Sequence, residues 1–132
     1  MNESAAWYAR LNQPFFAPPA WVFGPVWSVL YVVIAASFGY VLYLAIKKRL
    51  QWSVFAPFGL NLCFNLAFSP IQFGLKNNLL AAIDILFILG TLLWALRVIW
   101  SRVPWVAYVN IPYLLWATFA TLLQLSITWL NW

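Results

Sequence analysis

The chain alternates long apolar runs with short polar breaks. Residues 26–46 are almost wholly apolar and stop at Lys47, Lys48 and Arg49. A second run covers 52–73, with Pro57 near its start and Pro70 near its end. Gly74, Lys76, Asn77 and Asn78 form a polar break before a third run, 79–100, which Arg102 and Pro104 terminate. A fourth run, 105–129, carries Pro112 inside it, where the missing N–H and the ring's bulk predict a bend. Each run matches the roughly 20 residues that an α-helix needs to cross a bilayer. The runs are about twice the length of a membrane-spanning strand and lack its two-residue alternation. The pattern therefore predicts an all-α integral membrane protein, an antiparallel helix bundle with four transmembrane helices. Residues 1–25 are rich in proline and aromatic rings and are expected to cap one end of the bundle formed by 26–132.

Composition agrees with a membrane setting: 66% of the 132 residues are hydrophobic and 7% are charged. There is no histidine, and Cys63 is the single cysteine. That leaves no intrachain disulfide, no Ser-His-Asp triad and no histidine-based metal site, so no metal is expected. The acids are Glu3 and Asp84, which would have to meet to act as a carboxylate pair. The net charge of +5 punctuates apolar runs instead of lining a polar face, so nucleic acid is not an expected partner. No secretory leader is expected, because the first apolar run begins near Val26 without a small-residue cleavage site. Lys47, Lys48, Arg49, Arg97 and Arg102 fall at one side of the membrane and Arg10 and Lys76 at the other, which predicts both termini on the non-cytoplasmic side. Trp7, Trp21, Trp27, Trp52, Trp100, Trp105, Trp129 and Trp132 lie near run ends, as an interfacial belt would.

Helical spacing gathers candidates. Trp27, Tyr31, Ala35 and Phe38 share one side of the first run; Asn61, Asn65, Phe68 and Gln72 one side of the second; Tyr113, Trp116, Ala120 and Gln124 one side of the fourth. An amide turned to lipid would lack partners, so Asn61, Asn65 and Gln72 are expected to face protein or a cavity. Taken singly, the amides can be interhelical glue, Asp84 can pair with Lys76 or cap backbone, and any tryptophan can be belt or core. Together, rings beside amides suit a cavity for a flat, largely apolar ligand.

Four motifs carry a resemblance. The stretch APPAWVFGPVWSVLY is similar to the signature of the TspO/translocator protein family, also called tryptophan-rich sensory proteins or peripheral benzodiazepine receptors. WYARLNQP resembles that family's WYxxLxKP, with Gln13 where lysine is usual. NLCFNLAFSPIQFG resembles QLxLNxxWSPxFFG, with Asn61 for Gln, Phe68 for Trp and Gln72 for Phe. PYLLWATFATLLQ resembles PYLAWxxFAxxLN, with Gln124 for Asn. The resemblance implies a membrane protein that binds tetrapyrroles such as protoporphyrin IX and haem in a pocket closed by the proline-rich loop. By matched position, Trp21 and Phe23 belong to that loop or its edge, and Trp27, Asn65, Trp116 and Ala120 to the pocket. Tyr31, Asn61, Phe68, Tyr113, Phe119 and Gln124 complete the expected ligand-binding set. The tyrosine of the animal sterol motif is replaced by Leu125, which argues against sterol binding.

The family has five spans, the first preceding WYxxLxKP, where this chain has residues 1–6. The expectation is that the first helix is lacking, which opens one flank to lipid, to a second copy or to another protein, with a homodimer the favoured cover. Three readings of function follow. The first is a tetrapyrrole-binding sensor or carrier; without histidine, haem iron would need a tyrosine or Cys63, so metal-free porphyrin is the more natural ligand. The second is light-dependent porphyrin degradation, with Trp27 and Trp116 as electron donors, no acid–base residue and no resident cofactor. The third is a membrane scaffold or transport module without a small ligand. The expected partners are a porphyrin or other flat apolar ligand, the lipid bilayer and a second copy. Pro18, Pro19 and Pro25 are expected to stiffen the cap, with Trp21 and Trp27 roofing the slot.

Overall fold

A computed structural model describes residue 7 and residues 10–131. Glu3 and the belt residue Trp132 lie outside the described residues, as does the start of the expected cap. The elements are α1 (Phe23–Ile46), α2 (Trp52–Ser69) continuing into a π-turn (Pro70–Gly74), α3 (Asn78–Ile99), α4 (Pro104–Val109) and α5 (Ile111–Leu130), with a 3-10 turn at Ala20–Val22. Among the described residues four helices are long and apolar enough to cross a membrane: Phe23–Ile46, Trp52–Gly74, Asn78–Ile99 and Ile111–Leu130. The all-α membrane bundle expected from the apolar runs is the observed architecture.

Local chemistry sets the helix ends. α1 begins three residues earlier than the apolar run, at Phe23. Pro25, expected in the cap, thus lies in the first turn of α1, where no N–H is needed. At the other end Lys48 takes φ 60, the left-handed position where glycine is usual. The N–H of Arg49 then reaches back to Leu44 O at 2.8 Å, closing the turn. In α2, Pro57 sits inside the helix, with its apolar ring buried. Pro70 has no N–H to continue the ladder, and the next turn widens, with Leu75 N–H on Pro70 O at 2.9 Å. That wide turn carries Gln72 and Phe73 to the bundle interior. Asn77 caps α3 by accepting the N–H of Leu80 at 2.9 Å, so Asn78 belongs to the helix and not to the polar break.

The fourth run differs from expectation. It is not one helix bent at Pro112 but two helices separated at Asn110. Pro112 occupies the first turn of α5, where its missing N–H costs nothing. Asn110 is fully buried, and its amide donates to Ser37 Oγ at 2.9 Å and to Val106 O at 2.8 Å.

One apolar core runs through the bundle, built from Leu30, Ile34, Phe38, Phe58, Ile88, Leu92 and Ala117 among others. Phe38 packs edge-on against Phe58 at 4.9 Å, so it belongs to the core and not to a ligand face; Ala35 is exposed. Val29, Val32, Leu60, Leu66, Leu86, Leu93, Leu115 and Leu122 point outward, as a lipid-facing surface requires. Trp52, Trp100, Trp105 and Trp129 are exposed near span ends.

A second, smaller cluster lies where α1 begins and α5 ends. Trp7, Leu11 and Ala17 pack there with Phe23, Phe73 and Phe119 around Leu123 and Ile127. Asn131 Nδ2 donates to Asn12 O at 2.8 Å, and Asn12 N–H donates to Asn131 Oδ1 at 3.0 Å. The proline-rich segment is thereby tied to the end of α5. Phe15 and Trp21 nonetheless remain exposed instead of folding inward.

Candidate functional site

The cap end leads into a slot of about 350 Å³ between the helices. α1 contributes Phe23, Gly24, Trp27 and Tyr31, spaced one turn apart so that the rings stand in a column. α2 and its π-turn contribute Asn65, Phe68, Ser69, Gln72 and Phe73. α3 supplies Ile85 and Ile88, and α5 supplies Ala117, Ala120, Leu123 and Gln124. Gly24, Ala117 and Ala120 leave room by being small, and a Cβ at Gly24 would meet no atom within 4 Å. No charged side chain lines it.

A hydrogen-bond relay stiffens one wall. The Tyr31 hydroxyl donates to Asn65 Oδ1 at 2.7 Å, and Asn65 Nδ2 donates to the Tyr113 oxygen at 2.8 Å. Tyr113 donates in turn to Asn61 Oδ1 at 2.8 Å, and Asn61 Nδ2 donates to Ile88 O at 2.8 Å and Thr91 Oγ1 at 3.2 Å. Thr91 closes the chain on Phe87 O at 2.7 Å. The relay ties α1, α2, α3 and α5 together through groups that would otherwise be costly to bury.

The expected residues separate accordingly. Phe23, Trp27, Tyr31, Asn65, Phe68, Ala120 and Gln124 line the slot. Asn61 and Tyr113 do not; both are fully buried behind its wall, where the relay uses every polar atom they present. Trp21 is 74% exposed and away from the slot, because the 3-10 turn points it outward before α1 begins. Trp116 and Phe119 line a separate, apolar groove of about 630 Å³ between α1 and α5, with Pro25, Val26, Val29, Leu30, Pro112 and Leu115. Trp116 precedes Ala117 by one residue, a rotation of about 100° that takes it off the slot-facing stripe. Its ring still meets Phe23 at 5.7 Å, and its buried Nε1 has no partner.

Cys63 is exposed and outside the slot, so it offers no thiolate to a bound iron there. Asp84 is buried beside the slot-lining Ile85, with Oδ2 unpartnered. Among the described residues no three His, Cys, Asp or Glu side chains gather as metal ligands. The lining residues that the spacing argument missed are mostly small or aliphatic: Gly24, Ser69, Ile85, Ile88, Ala117 and Leu123. Nothing in the sequence marked Ile85 and Ile88, which sit in the third apolar run with no ring or amide beside them at helical spacing.

Comparison with known proteins identifies the chain's family. The TspO/MBR family profile matches residues 1–130. That match gives no support to the expectation that the family's first helix is lacking. "Tryptophan-rich protein TspO" of Archaeoglobus fulgidus is 34% identical over 131 residues, covering 95% of this chain and 80% of the relative. "Translocator protein" of Homo sapiens is 38% identical, covering 93% and 73% respectively. "Tryptophan-rich sensory protein" of Cereibacter sphaeroides is 33% identical, covering 96% and 77%. With four apolar spans and a match along nearly its whole length, this chain is an integral, multi-pass membrane protein that belongs to the TspO/MBR family.

Proposed function

We propose that the protein binds a flat tetrapyrrole, metal-free protoporphyrin in preference to haem, in the slot between α1, α2 and α5. The observation that carries this reading is the lining itself: Phe23, Trp27, Tyr31, Phe68 and Phe73 surround a cavity with amides and no charge. Rings offer faces for stacking, and a dry neutral wall suits a macrocycle more than a polar metabolite. At about 350 Å³ the slot is near the lower end of the roughly 300–1,000 Å³ usual for small-molecule sites. A four-ring macrocycle would therefore leave one edge outside. Since no cation lines the slot, its carboxylates are the edge left toward the cap and the headgroups. Packing of Trp7, Leu11 and Ala17 beside Phe23 and Phe73 supports Trp7 and residues 10–22 as the slot's cover.

Titration of the purified protein in nanodiscs with protoporphyrin IX should quench tryptophan emission saturably, and Trp27→Phe should weaken binding. Absence of quenching, or unchanged affinity in Trp27→Phe, overturns the reading. The light-dependent degradation reading draws its support from Trp27, an electron-rich indole on the slot wall. Trp116 lies off that lining, with its ring edge-on to Phe23, so Trp27→Phe should remove photodegradation and Trp116→Phe should leave most of it. The apolar groove between α1 and α5 supports a homodimer as the assembled form. The basic ends at Lys47–Arg49 and Arg97–Arg102 support a non-cytoplasmic placement of both termini.

A further inference from the structure

Asn78 opens α3 behind the slot and engages two of its glutamines. Its side-chain oxygen accepts Gln72 Nε2–H at 3.0 Å, and its main-chain carbonyl accepts Gln124 Nε2–H at 3.3 Å. The same carbonyl accepts the Thr128 hydroxyl at 3.0 Å. A primary amide has a donor end and an acceptor end. With both donor ends drawn to Asn78, the two carbonyl oxygens are left over. Gln72 is 0% exposed and its Oε1 has no partner. Gln124 is 4% exposed, and its bonds to Asn78 O and to Thr128 Oγ1, both at 3.3 Å, run from Nε2 and not from its oxygen. On the facing wall the Tyr31 hydroxyl spends its proton on Asn65, so its oxygen also remains an acceptor. The polar lining is thus weighted toward acceptors.

An unfilled buried acceptor is a standing penalty in the empty site, and lipid tails carry no donor to relieve it. A ligand N–H or O–H would. The motif resemblance has phenylalanine where this chain has Gln72, and a ring there would offer no acceptor.

We propose that Gln72 and Gln124 form an acceptor pair that favours flat ligands presenting an N–H or O–H at the edge that reaches it and disfavours those that present only acceptors or carboxylates at that edge. The inference rests on the reading that a flat ring system enters the slot, and it narrows the class. A closed porphyrin points its pyrrole N–H groups at its own centre, so it meets the pair with a C–H edge. Open-chain tetrapyrroles and fused heterocycles with an edge N–H meet it with a donor. Carboxylates are disfavoured twice, by the paired oxygens and by the lack of any lining cation.

Carbazole and dibenzofuran share one flat three-ring frame, with N–H in the first and an ether oxygen in the second. Their affinities for the protein in nanodiscs, corrected for partition into empty nanodiscs, test the pair without any mutation. Wild type should bind carbazole about tenfold or more tighter, the usual penalty for leaving a buried acceptor unpaired. Gln72→Met, close in shape but without the acceptor, should lower that preference severalfold by weakening carbazole and relieving dibenzofuran. Gln124→Met should do the same, and either variant serves if the other fails to fold. Equal affinity in wild type, preference for dibenzofuran, or binding of neither probe overturns the proposal. Protoporphyrin titrated in parallel separates the two readings. Porphyrin quenching without carbazole preference sinks only the acceptor pair, and carbazole preference without porphyrin quenching sinks only the porphyrin reading.

Discussion

Tyr113→Phe removes one oxygen from the middle of the relay and changes nothing else in shape. Tyr113 is fully buried, so water cannot replace the lost group. Asn65 Nδ2 loses its acceptor and Asn61 Oδ1 loses its donor, both at 2.8 Å. In a soluble core each orphaned group would cost about 1–3 kcal/mol. In a bilayer the unfolded helices also find partners, and single hydrogen bonds average about 0.6 kcal/mol, with a maximum near 1.7. Two buried bonds between α2 and α5 are lost, so the expected loss is about 1–2 kcal/mol. Tyr31→Phe breaks a single bond at a half-open position, and its loss should stay below about 1 kcal/mol. Reversible unfolding in mixed micelles, or steric trapping in bicelles, reads both values. The same variants report on the slot: Tyr113→Phe should weaken porphyrin binding severalfold by freeing the Asn65 wall, although Tyr113 does not line the slot. A Tyr113→Phe protein as stable as wild type, alongside a clearly destabilised Tyr31→Phe, would refute the argument that the relay holds the wall.

Ala120→Phe should fill part of the slot of about 350 Å³ and weaken porphyrin quenching at least tenfold, with thermal unfolding little changed. Asn131→Ala cuts the tie to Asn12; cap residues 10–17 should exchange amide hydrogens faster and ligand affinity should fall, while global stability changes by less than about 1 kcal/mol. Lys48→Gly relieves a left-handed lysine at φ 60 and should raise stability by about 0.5–1 kcal/mol in a micelle unfolding titration; a loss would mean that the cation at this turn matters more than the backbone. Asn110→Ala should cost about 1–2 kcal/mol in the same titration, because Ser37 loses its donor and the α4–α5 break loses its bridge.

The spans were legible because membrane insertion imposes length and apolarity on each segment separately, and neither depends on neighbours. Boundaries were less so where proline plays two parts. Pro25 and Pro112 read as a cap element and a bend, yet both sit in first turns, where a proline is helix-compatible. The slot-facing side of α1 and of α2 emerged from ring and amide spacing, since buried amides must face partners. On α5 the stripe was set one residue out: Trp116 looked like a wall by its ring, whereas Ala117 makes the space by being small. Absent side chains leave no signal in a string, which is why Gly24 and Ala117 were missed. Nor could spacing tell Asn61, buried in the relay, from Asn65, shared between relay and slot; that difference depends on how far α2 sits from α5.

The central claim concerns where a flat macrocycle rests, and a structure of the protoporphyrin-bound protein in nanodiscs addresses it directly. The account predicts the macrocycle among Trp27, Phe68 and Ala120, its carboxylates at the cap end beside Phe23 and Phe73. Porphyrin seated instead in the α1–α5 groove against Trp116 and Leu115, with side chains or acyl chains filling the slot, would contradict it.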